Sequence, residues 1–153
     1  MTHCTTWPST LTALLTPTIA AIVAWIYFRQ WKTAQNKLKL DLFDKRVLIF
    51  DAANVLILNS QKPGGATTEE MARFLASTSQ AKWLFNEEIA RYLREVIYAK
   101  AIQVIREGAE LSVADSGEAR IEKTKTLMEA QNDILNQFAM LEKKFTPFLK
   151  LIH

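Results

Sequence analysis

No Asp, Glu, Lys or Arg occurs among the first 28 residues, and the charges then begin at once with Arg29, Lys32, Lys37 and Lys39. Between Leu11 and Phe28 the chain reads LTALLTPTIAAIVAWIYF. An uncharged run of this length leaves few options: a helix that spans a bilayer, a cleaved secretory leader, or a helix buried on all sides. A bilayer core about 30 Å thick needs about 20 mostly apolar helical residues, which the stretch from Pro8 to Phe28 supplies. Trp7 stands at one end, and Trp25, Tyr27 and Trp31 at the other, where amphipathic rings favour the headgroup level. Pro17 is tolerable in lipid, because Thr12, Thr16, Thr18 and neighbouring helices can satisfy the freed carbonyl. A leader would want a positive start and a small-x-small cleavage site, whereas this run ends in Trp25-Ile26-Tyr27-Phe28. The expectation is a retained transmembrane helix over residues 9–28 behind a short external N-terminus, residues 1–8. The positive-inside rule then puts the N-terminus outside and everything from Arg29 inward.

Charge is unevenly spread. Residues 29–46 hold six bases and two acids, whereas residues 47–153 hold 13 bases and 14 acids. A basic segment beside a bilayer attracts anionic headgroups at about 1 kcal/mol per Lys or Arg, so Arg29, Lys32, Lys37 and Lys39, with the four aromatics, are the expected interface residues. The near-neutral remainder argues against nucleic acid as a partner, since that wants a basic face on the folded domain. Cys4 is the single cysteine. It is read as an incidental residue, with an intermolecular disulfide as the alternative.

Beyond the basic segment the pattern is helical. Trp31, Ala34, Leu38, Leu42, Ile49, Ala53 and Leu56 recur at mostly 3- and 4-residue steps, with Phe43, Val47, Phe50 and Ile57 beside them. A basic juxtamembrane helix, residues 29–60, therefore continues the anchor into a domain completed by residues 61–153. Lys62-Pro63-Gly64-Gly65 is the clearest break. Thr67 and Glu70 have capping-box spacing, Ala81–Phe85 forms an apolar knuckle, and Asn86 caps the next helix. That helix fades between Gly108 and Val113, Asp115-Ser116-Gly117 turns the chain, and Thr146-Pro147 ends or kinks the last long helix. Phe148–Ile152 is apolar enough to dock on the bundle or touch the membrane. The expected fold class is all-α: one N-terminal transmembrane helix continuing into a small cytoplasmic antiparallel bundle.

Candidate chemistry is thin. Lys45–Leu58, KRVLIFDAANVLIL, has the outline of a haloacid-dehalogenase nucleophile loop with Asp51 in the reactive place, but Ala53 stands where the second carboxylate belongs. Its VLIF run is the most strand-like stretch of the chain. Pro63–Thr68 lacks the spacing and Lys of a phosphate loop. His3 and His153 are the only histidines, so no Ser–His–acid, Cys–His or zinc arrangement forms inside the domain. Glu87, Arg91 and Glu95 fit i, i+4 ion pairs better than a metal site. Phe74, Trp83, Phe85, Tyr92, Phe138, Phe145 and Phe148 read as core, and Ala20 with Ala24 forms a small-xxx-small pair suited to helix self-association. No cofactor and no metal is expected, and no enzymatic activity.

From Gln30 the chain reads QWKTAQNKLKLDLFDKR, and later WLFNEEIARYLREV. These stretches resemble small single-pass bacterial membrane proteins of unknown function that carry a QW-x-x-A-x-x-KL-x-LDLFDKR-like motif. The resemblance implies an inner-membrane protein with a cytoplasmic helical domain, and no activity. Within the motif, Leu42 and Phe43 suit packing, and Asp41, Asp44, Lys45 and Arg46 suit ion pairs or lipid headgroups. The resulting expectation is a membrane-anchored helical interaction or scaffold protein whose partners are anionic lipid and a protein or second copy. The alternative is a toxin- or defence-like membrane effector that acts by oligomerising.

Overall fold

The computed structural model describes residues 7–114 and 117–150, with side chains from Thr18 onward. Its regular elements are all helical: α1 (Trp7–Asn59), α2 (Thr68–Thr78), α3 (Ala81–Leu84), α4 (Glu87–Arg91), a π-helical segment (Tyr92–Tyr98), α5 (Ala99–Val113), α6 (Glu118–Leu135) and α7 (Gln137–Leu149). The chain divides into two compact units, the second beginning at Leu42, and α1 belongs to both without a break in its helix.

The transmembrane helix expected over residues 9–28 is corrected by this structure: among the described residues no helix is long and apolar enough to cross a membrane. In α1 the side chains are described from Thr18, and the uncharged stretch ends at Phe28. Arg29 and Lys32 follow within its next turn. The earlier part of the expected span, the Trp7 and Pro17 side chains included, lies outside the described side chains, as do His3, Cys4 and the rest of the expected external N-terminus. Without a span, the single-pass architecture, the N-out orientation and the bacterial inner-membrane location are withdrawn. An all-helical fold stands.

In the second unit the final turns of α1 form the floor of the core. Ile49, Ala53, Leu56 and Ile57 lie on one face and are almost wholly buried, while Leu42 and Leu48 remain exposed. The strand-like VLIF run is thus helical, because Ile49 and Phe50 pack into the core only in that geometry. Gly64 and Gly65 then take φ of 83° and 79°, the left-handed region where a Cβ is strained. A Cβ on Gly65 would also come within 3.0 Å of Ile105. Gly108 sits beneath Gly64. A Cβ there would make ordinary contact with it at 3.6 Å, and Gly108 does not end the helix, which runs on to Val113.

Local chemistry sets the next starts. The Thr67 hydroxyl accepts from Glu70 N–H at 3.2 Å, and the Glu70 carboxylate accepts from Thr67 N–H at 2.8 Å. Asn86 Oδ1 accepts from Ile89 N–H at 2.9 Å. From Glu87 to Val113 the backbone stays helical through α4, the π segment and α5. Gly117 (φ 119°) precedes α6, while Asp115 and Ser116 lie outside the described residues. Lys123 pairs with Glu110, and Lys100 with Asp133 at 3.1 Å, an opposed order that makes α5 and α6 antiparallel. Pro147 does not end α7, which continues to Leu149. Phe148 and Leu149 pack against the core, and residues 151–153 lie outside the described set.

Phe145 is fully buried, with the ring of Phe85 at 4.8 Å and that of Phe50 at 5.5 Å. Arg46 closes this end of the core. Its Nε donates to the Leu84 carbonyl at 2.9 Å, its Nη1 to the Phe148 carbonyl at 3.1 Å, and its guanidinium lies 5.8 Å from the Phe85 ring centre. Helix C-termini leave carbonyls without partners and favour a cation there, so one side chain of α1 serves the ends of both α3 and α7. Neither an ion pair nor a lipid headgroup, the roles expected for Arg46, describes it. Replacing Arg46 with Met should destabilise the second unit by about 2 kcal/mol, the scale for charged hydrogen bonds, and Arg46→Lys should recover less than half, since an ammonium lacks the fork. Urea unfolding of the three chains measures this.

Candidate functional site

Three surfaces are candidates: the expected interface residues on α1, a groove between α1 and α2, and a cleft beside the π segment.

At 100° per residue, Trp25, Arg29, Lys32 and Lys39 share one broad side of α1, Tyr27 and Trp31 lie on the opposite side, and Lys37 falls between. These residues encircle the helix and do not converge. Trp25 and Trp31 are each 61% exposed. The Arg29 guanidinium lies 5.3 Å from the Trp25 ring, and the Phe28 and Trp31 rings are 6.3 Å apart. Around them Ile19, Ile22, Val23, Ile26, Tyr27 and Phe28 are exposed as well. Nothing in this arrangement offers a reactive group; it offers apolar surface followed by positive charge.

The α1–α2 groove encloses about 290 Å³. Leu48, Ala52, Val55 and Phe74 make its apolar lining, with Asp51, Glu70 and Arg73 among its polar groups. Asp51 is exposed, as expected for the solvated side of a helix. The neighbouring acid is already engaged: Glu70 accepts from Lys62 at 2.7 Å and from the Thr67 backbone, which hold its carboxyl below 4.5. A carboxylate stabilised in its charged form is a poor proton donor near neutrality, so Glu70 does not serve the groove as a general acid.

The third surface lies between the end of α2 with α3 and the start of the α4–π helix. Its cleft of about 250 Å³ is lined by Thr78, Ser79, Lys82, Trp83, Glu87, Arg91, Arg94 and Glu95, among others. Among the described residues, neither of the expected Glu87–Arg91 and Arg91–Glu95 ion pairs forms. Lys82 takes Glu87 at 2.9 Å. Its hydrogen bond and charge, reinforced by the charges of Arg91 and Arg94, hold the Glu87 carboxyl below 4.5. The π winding, with hydrogen bonds from i to i+5, displaces residue 95 from its usual place above residue 91. Trp83 departs from the aromatics expected in the core. Phe74, Tyr92 and Phe145 are buried and Phe85, Phe138 and Phe148 partly so, but Trp83 is 82% exposed. Only the brevity of α3, a single turn, hints at this in the sequence.

Near the cleft, the Tyr92 hydroxyl donates to Gln137 Oε1 at 3.1 Å, and burial pushes its ionisation up to about 12. Lys144 lies 5.3 Å from the Tyr92 ring and pairs with Glu88 at 2.6 Å. That hydrogen bond is the main cause of the lowered Glu88 carboxyl. Among the described residues, no three His, Cys, Asp or Glu side chains are grouped to hold a metal ion.

No protein-family model, curated protein or solved structure matches the chain.

Glu70, Glu87, Glu88 and Glu110 all have carboxyls held below 4.5, each chiefly by a lysine hydrogen bond. A carboxyl depressed on folding contributes stability above its unfolded value and loses it as pH falls through the folded value. The melting temperature should therefore be flat from neutral pH down to roughly pH 5 and fall below 4.5. Lys144→Met should flatten part of that fall, and melting curves across pH measure both effects.

Proposed function

We propose that the chain is a non-enzymatic helical interaction protein whose binding element is the exposed apolar stretch of α1, residues 19–31. The observation that carries this reading is the exposure of Ile19, Ile22, Val23, Trp25, Ile26, Tyr27, Phe28 and Trp31 on a single helix. Covering one such side chain is worth about 1.5–3 kcal/mol, and contiguous apolar surface of this kind marks an interaction site. Ile19, Ile22, Val23 and Ile26 recur at helix–helix seam spacing, and Ala20 and Ala24 permit close approach of a neighbouring helix. The partner that suits this seam is the same seam on a second copy.

The experiment is sedimentation of the full chain over a range of concentrations, alongside Ile22→Asp/Ile26→Asp. The parent chain should associate with increasing concentration. The variant should remain monomeric with an unchanged bundle melting temperature, since both positions lie in the first unit. A parent chain that stays monomeric throughout overturns the reading.

A second reading rests on Arg29, Lys32, Lys37 and Lys39, which precede the first acid, Asp41: contact with the anionic headgroups of a lipid surface, without a span. Anionic vesicles should then bind the chain more tightly than neutral ones, and replacing the four bases with Gln should remove the difference at about 1 kcal/mol per base. Equal binding to both vesicle types overturns it.

A further inference from the structure

The cleft beside the π segment holds two arginines whose charges act on Glu87 only from a distance. Arg91 and Arg94 both line it, and neither has an ion pair or hydrogen bond among the described residues. Lys82 is committed to Glu87 at 2.9 Å, so Glu95 is the one uncommitted carboxylate opposing two guanidiniums. A guanidinium presents a planar fork of donors that matches the oxygens of phosphate or carboxylate, and two on one wall suit a single oxyanion better than a chain of them. The Thr78 and Ser79 hydroxyls already donate to the Phe74 and Ala76 carbonyls, each at 2.8 Å, which leaves the arginines as the available donors for an anion. Trp83 supplies the second element of recognition. It is the most exposed large aromatic ring among the described residues and lines the same cleft; Lys82 Nζ lies 5.9 Å from its ring centre on one side, and an indole face stacks on a planar ring. The volume of about 250 Å³ lies just under the usual range for small-molecule sites and suits one ring with one anionic group.

We infer that this cleft binds a small oxyanion carried on a planar ring, with Arg91 and Arg94 on the anion and Trp83 on the ring. This site stands independently of the α1 seam. The anion can be a phosphate or a carboxylate, and the probes separate the two.

Titration calorimetry of the full chain with phenyl phosphate, inorganic phosphate and benzoate tests it. Phenyl phosphate should bind more tightly than inorganic phosphate, and benzoate measures whether a carboxylate serves as well. Arg91→Gln/Arg94→Gln should weaken phenyl phosphate at least about tenfold, the scale for losing charged hydrogen bonds. Trp83→Ala should abolish the preference for the ring while leaving inorganic phosphate unchanged. Lys125→Gln, at an exposed base on α6, should change nothing. All four substituted side chains are exposed, so the variants should melt with the parent. Absence of binding by both aromatic probes, or equal weakening by Lys125→Gln and by the double arginine variant, overturns the inference.

Discussion

Burial of one face of α1 underlies the rest of the second unit. Ile49, Ala53, Leu56 and Ile57 present a continuous apolar strip, and the small Ala53 in its middle is wholly buried, where a larger side chain would hold its neighbours away. Ser60 is also buried, and its hydroxyl donates to the Leu56 carbonyl at 2.9 Å, which satisfies a polar group that would otherwise be costly at the end of this strip. Phe50 and Arg46, a turn apart on the same helix, then fix the other end. Phe50 touches Phe145, and Arg46 holds the carbonyls of Leu84 and Phe148. The ends of α3 and α7 are therefore positioned by a helix more than 35 residues earlier in the chain. The α3 knuckle that carries Trp83 inherits its position from that contact.

The features legible in the sequence are those with a local cause. The Thr67–Glu70 box and the Asn86 cap are each closed by residues three apart, and the Gly64-Gly65 turn needs a backbone that only glycine adopts freely. The opaque features depend on what lies opposite. Leu38 and Leu42 continue the same helical apolar pattern as Ile49 and Leu56, yet the first pair is exposed and the second buried, because periodicity states which side is apolar and not how far a neighbour extends along it. Arg46 sits in a run of charges that invites a surface reading, and its partners are carbonyls that composition cannot reveal. The uncharged N-terminal run raised a similar difficulty. Freedom from charge over 28 residues read as a span, but among the described residues no helix is long and apolar enough to cross a membrane.

The cleft was less legible still, because Glu87, Arg91 and Glu95 have ideal spacing for a self-neutralising helix face. The reason that face does not form lies in the core. Ile89, Leu93, Ile97 and Ala101 are all buried at steps of four residues. In an α-helix such a row drifts by about 40° per step, so three steps would turn Ala101 by about 120° from Ile89. The wider winding of Tyr92–Tyr98 counters that drift, and Ala101 is fully buried. The correction acts on every side of the helix, so it also moves Glu95 away from Arg91 on the outer face. Arg91 thus loses Glu95 to the filling of the core and Glu87 to Lys82. Restoring the Arg91–Glu95 pair by regularising this helix would cost the burial of Ala101.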